Sequence, residues 1–129
     1  YSTMKTALIL LASFLFCSAI SAEPKDKVAP LRHVVMFKFK DTATKEQIAA
    51  IEKGFSALPK KIETITGYEW GTNVSKENKA QGFTHCFIVS FKNQKGLDVY
   101  TPHAAHQAFV KELLPILDKV LVLDFIAQS

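Results

Sequence analysis

Apolar and polar side chains alternate along residues 31–40. Leu31, His33, Val35, Phe37 and Phe39 share one parity, and Arg32, Val34, Met36, Lys38 and Lys40 the other. This is the period of two that a β-strand imposes. Asp41 and Thr42 interrupt the run, and Thr44 followed by Gln47 carries the capping-box signature of a helix start. Ile48, Ile51, Phe55 and Leu58 then recur at helical spacing as one apolar stripe. A helix is therefore expected to about Leu58, weakened slightly by Gly54, with Pro59 beyond its end. Ile65 to Val74 reads as a second strand interrupted by Gly67 and Gly71, and the polar stretch Ser75 to Gly82 as a surface loop. Phe83 to Lys92 alternates again, with Phe83, His85, Phe87, Val89 and Phe91 set against Thr84, Cys86, Ile88, Ser90 and Lys92. A second helical region is expected from about Gly96 to about Asp118, broken near Thr101 and Pro102 and kinked by Pro115. Val120 to Ile126 closes the chain as an apolar strand.

The resulting order is strand, helix, strand, strand, helix, strand. It predicts an α+β, ferredoxin-like βαββαβ fold, a four-stranded antiparallel sheet with its helices on one face. Such a sheet should be polar on its open face. Here Val34 and Met36 oppose Val35 and Phe37, Cys86 and Ile88 oppose Phe87 and Val89, and Leu121 and Leu123 oppose Val120 and Val122. Both faces are apolar at their centres, so a second copy of the chain is expected to cover the open one. The predicted assembly is a homodimer whose two sheets close into a barrel.

The chain ahead of this domain has a different character. Tyr1 to Thr3 precede a start at Met4; Lys5 is followed by the apolar run Ala7–Phe16 and the small residues Ala19, Ser21 and Ala22. Residues 1–22 thus read as a secretory signal peptide with three extra residues in front, which implies a secreted or periplasmic protein. The run is shorter than the roughly 20 residues that span a bilayer, so no membrane association is expected after cleavage. Residues 23–30 read as a polar tether, and residues 31–129 as the folded domain. The formal charge of +4 becomes +3 without Lys5, with basic and acidic residues interspersed. That balance speaks for solubility and against nucleic acid as a partner. Cys86 alone remains after cleavage, so no internal disulfide can form.

The chemistry gathers in Tyr100 to Phe109, where a phenol and two imidazoles fall within seven residues. Thr101 suits the N-cap of a helix and Pro102 its first position. His103 and His106 would then share a side of that helix with Val110, Leu113 and Leu117, facing the interior. His33 and His85 lie on the apolar parities of their strands. Packed under the helix, the four rings would converge on one apolar cavity with Tyr100 at its mouth, able to bind a small molecule and exchange protons. The competing reading for each ring is a core histidine bonded to a backbone carbonyl or a hydroxyl. No carboxylate or cysteine completes a metal-ligand spacing around His103 and His106, so no metal is expected. Phosphate-loop, nucleophile and paired-carboxylate motifs are absent from the sequence.

The segments Arg32–Lys40, Tyr68-Glu69-Trp70-Gly71, Gly82-Phe83-Thr84-His85, Tyr100–Phe109 and Val122-Leu123-Asp124-Phe125 together resemble the stress-responsive alpha/beta-barrel (Dabb) domain family of the dimeric alpha+beta barrel superfamily. The resemblance covers about Leu31 to Phe125 and departs at Ala104, where the family commonly has proline. It implies a dimeric barrel without a cofactor. The family includes heat-stable, stress-induced plant proteins and a polyketide cyclase. By that match His106 would be a general base, Tyr100 would orient a substrate carbonyl, and His33, His85 and His103 would be pocket residues. Three functions stay open: an exported stress-responsive protein binding a small apolar or aromatic molecule, a cofactor-free lyase or cyclase, and a cofactor-free monooxygenase of the wider superfamily. Export weighs against thioester-bound polyketides, which are made inside cells. Fold alone transfers none of these activities.

Overall fold

The computed structural model describes residues 28–129; the expected signal peptide and most of the polar tether lie outside the described residues. The elements run β1 (Leu31–Phe39), α1 (Lys45–Lys61), β2 (Ile65–Thr72), β3 (His85–Phe91), α2 (Gln94–Tyr100), α3 (Ala104–Leu113), a 3-10 turn (Leu114–Ile116) and β4 (Leu117–Ile126). One antiparallel sheet is formed in the order β2-β3-β1-β4, the ferredoxin-like topology with its second helical segment split in two.

Each helix boundary has a local cause. Thr44 and Gln47 close the capping box in both directions, Gln47 N–H to Thr44 Oγ1 at 3.1 Å and Thr44 N–H to Gln47 Oε1 at 2.9 Å. Ile51, Phe55 and Leu58 form the buried stripe. The helix continues through Pro59 to Lys61 rather than stopping at Leu58. Proline removes one backbone bond but its φ suits a helix, and Ile62 N–H still reaches Leu58 O at 2.9 Å. Asn93 caps α2 from its side chain, so this helix opens before Gly96. Pro115 ends α3 in the 3-10 turn, and β4 begins at Leu117 instead of Val120.

The register assigns the faces. His33, Val35 and Phe37 of β1 sit opposite Val89, Phe87 and His85 of β3 and opposite Asp124, Val122 and Val120 of β4, so all share the helix side. Phe37, Phe55, Phe87, Phe91 and Val89 are fully buried there. At about 1.5–3 kcal/mol for each large apolar side chain, this layer supplies the main driving force for folding. Trp70, on the edge strand β2, stacks on Phe87 and His85 with ring centroids 5.6 and 6.1 Å away.

The helices stop short of β4. Val120 and Val122 on the helix side, and Leu121, Leu123 and Phe125 on the open side, are all exposed. The open face therefore presents Leu121, Leu123 and Phe125 beside the half-buried Val34, Met36 and Ile88. That continuous apolar surface marks an interaction face.

Candidate functional site

Between α2, α3 and β4 lies a cavity of about 410 Å³ whose walls are mostly apolar, including Val35, Phe37, Phe55, Phe109 and Leu113. Its polar groups are His33 and Asp124 on the sheet and Tyr100, Thr101 and His106 on the helical side. The His33 ring packs edge-on to Tyr100 at 5.6 Å between centroids, and His106 lies 4.3 Å from Tyr100 on the same measure. The cavity thus combines an apolar body with a few convergent polar groups, the usual make-up of a small-ligand site.

The hydrogen bonds fix the state of each imidazole. His106 Nδ1 lies 2.8 Å from Thr101 O. A carbonyl can only accept, so Nδ1 carries the hydrogen and Nε2 keeps its lone pair. Burial lowers the pKa of His106, the bond to Thr101 opposes that shift, and His33 and His103 add to it. The ring is therefore neutral at pH 7. Tyr100 is 1% exposed, and none of the hydrogen bonds among the described residues involves its hydroxyl. Burial, with a smaller contribution from Tyr68, raises its pKa. The phenol stays protonated and can donate a hydrogen bond to a ligand.

His33 Nδ1 lies 2.6 Å from Asp124 Oδ1, its cross-strand neighbour. The carboxylate accepts, so this ring too is held as the Nδ1–H form when neutral. Asp124 was not among the residues picked out for a role from sequence. The signal was present, because it is the one charged side chain in the stretch Val120–Ile126.

The expected convergence of four histidines is corrected to two. His85 pairs with Phe37, four residues along β1 from His33 and so roughly 13 Å away. Both its nitrogens are engaged: Nε2–H donates to Glu52 Oε1 at 2.9 Å, and Nδ1 bonds the Thr84 hydroxyl at 2.8 Å. His85 borders instead a hollow of about 540 Å³ beneath the loop between β2 and β3, which contains none of His33, Tyr100 or His106. His103 does not line the 410 Å³ cavity. Nor does it stand inside a helix capped by Thr101. Thr101 is the C-cap of α2, and His103 itself caps α3, its Nδ1 accepting from Ala105 N–H at 3.0 Å. Pro102 falls in the gap between the two helices, where its missing N–H breaks the ladder.

A family model described as "Stress responsive A/B Barrel Domain" matches residues 31–127. The stress-response A/B barrel domain-containing protein HS1 of Arabidopsis thaliana is 40% identical over 96 residues, covering 74% of this chain and 88% of that protein. Olivetolic acid cyclase of Cannabis sativa is 30% identical over 95 residues, covering 74% and 94% respectively. Among solved structures, the hydroxynitrile lyase of Passiflora edulis superposes with a TM-score of 0.74 at 25% identity, over 79% of this chain and 96% of that one.

Proposed function

Since the chain belongs to the stress-responsive A/B barrel domain family, we propose that its cavity binds a small apolar or aromatic molecule carrying a carbonyl group and moves a proton on it. The observation that carries this reading is the pairing of Tyr100 and His106: a buried phenol whose hydroxyl bonds no other group among the described residues against a neutral imidazole whose Nδ1 is already engaged. Tyr100 would hold the carbonyl oxygen and His106 Nε2 would take the proton from the neighbouring carbon. This is general-base chemistry of the lyase or cyclase kind, performed by side chains alone. Two relatives with 25–30% identity are named for a lyase and a cyclase, which supports that reaction class without naming the substrate. The apolar run after Lys5 supports export, and export favours a free small molecule over a carrier-bound one.

We further propose that the working form is a homodimer. The uncovered apolar face of Leu121, Leu123 and Phe125 supports it. Ligand-observed NMR with paired aromatic ketones and the matching hydrocarbons tests the binding claim. The ketones should bind preferentially, and Tyr100→Phe should erase the preference. Equal binding of ketone and hydrocarbon to the unaltered protein would count against it.

A further inference from the structure

Removing a proton from carbon beside a carbonyl drives negative charge onto the oxygen, and in a largely apolar cavity that charge needs a proton. Tyr100 donates a hydrogen bond but is a poor source of the proton itself, because burial raises its pKa. The opposite wall offers another source. His33 lines the cavity with its side chain only 12% exposed, and its Nδ1–H is committed to Asp124 Oδ1 at 2.6 Å.

We propose that His33 and Asp124 form a second proton-transfer unit in this cavity, with His33 Nε2 as the nitrogen that meets the ligand and Asp124 as the positioning residue that fixes it. The inference rests on the proton-transfer reading above and adds the acid to its base. Both rings are anchored through Nδ1, His106 to a backbone carbonyl and His33 to a carboxylate. Both therefore leave Nε2 for the cavity, and the anchors divide the labour. A neutral carbonyl anchor and burial suit a ring that waits uncharged, whereas a carboxylate compensates a ring that carries a proton.

In one enolisation His106 Nε2 takes the proton as the α-carbon–hydrogen bond breaks, and that electron pair becomes the carbon–carbon double bond. The carbonyl π pair moves onto the oxygen, which takes the Nε2 proton from the imidazolium of His33 and leaves the N–H electron pair on that nitrogen. His106 ends cationic and His33 neutral, and the reverse transfers reset both.

The test uses phenylacetone as probe and the whole mature chain. Long-range 1H–15N NMR of the imidazoles should show neutral His33 as the Nδ1–H form. Asp124→Ala should lose that preference, while Asp124→Asn, which keeps an acceptor oxygen, should retain it. Exchange of the α-hydrogens of phenylacetone into D2O should slow about ten-fold or more in Asp124→Ala, with part of the rate restored in Asp124→Glu. Phenylacetone affinity should change less than about two-fold. Neutral His33 found as the Nε2–H form in the unaltered protein overturns the proposal, as does a folded Asp124→Ala that exchanges at the unaltered rate. If the unaltered protein drives no exchange, the proton-transfer reading of the whole cavity falls; if it does and Asp124→Ala matches it, only the Asp124 assignment falls.

Discussion

His106 Nδ1 donates to the backbone oxygen of Thr101, five residues earlier and 2.8 Å away. The chain break at Pro102 makes that bond available, since the end of α2 leaves the Thr101 carbonyl clear of α3. The imidazole most suited to take a proton is thus held by the irregular joint between two short helices.

The pH dependence follows from burial. His106 titrates below its ordinary value of 6.5 in the folded chain, so the unfolded chain binds that proton more readily. The contribution of this group to stability is therefore complete above pH 6.5. It is lost as the pH falls from there to the folded value, and changes no further below. Thermal unfolding of the unaltered protein and His106→Asn across pH 4.5–7.5 checks this: the unaltered protein should lose more stability on acidification. Exchange catalysis should fall over the same range as His106 becomes charged.

Tyr100→Phe should leave stability nearly unchanged, because no hydrogen bond among the described residues is lost with the hydroxyl. It should weaken ketone binding by about three- to ten-fold, the net worth of one hydrogen bond. Thermal unfolding and ligand-observed NMR of the same variant separate the two effects.

His103 caps α3 only while its Nδ1 is bare, since the bond runs from Ala105 N–H to the ring. His103→Ala should cost about 1 kcal/mol at pH 7.5, whereas His103→Asn preserves the cap. Urea denaturation at pH 7.5 measures it.

Leu123→Lys places a charge on the apolar open face, where Leu123 is 59% exposed in the single chain. Sedimentation at micromolar concentration should find the unaltered chain dimeric and the variant monomeric. If the two sediment alike, the sheet is not the dimer face.

The strand–helix order and the two faces of each strand were legible because alternation and helical spacing report burial directly, as Phe37, Phe87 and Phe55 show. Legibility failed at joints and at contacts distant in sequence. Thr101-Pro102 has the composition of a helix start, yet the Thr101 side chain turns back to the helix before it and the His103 ring accepts from the helix after it. The Thr101 hydroxyl goes to Leu97 O, which leaves the cap to His103. His85 shares its parity with apolar neighbours just as His33 does. Register alone separates them, and register depends on pairing across the sheet. Glu52 and Asp124, which engage those two rings, lie 33 and 91 residues from them in sequence, beyond the reach of any local pattern.

Deuterium incorporation at the α-carbon of phenylacetone, followed by NMR at neutral pH for the unaltered chain and His106→Ala, tests the central claim most directly. Incorporation should run well above buffer for the unaltered chain and fall about a hundred-fold or more in the variant. Incorporation at the buffer rate by the unaltered chain, or an equal rate in a folded His106→Ala, would contradict it.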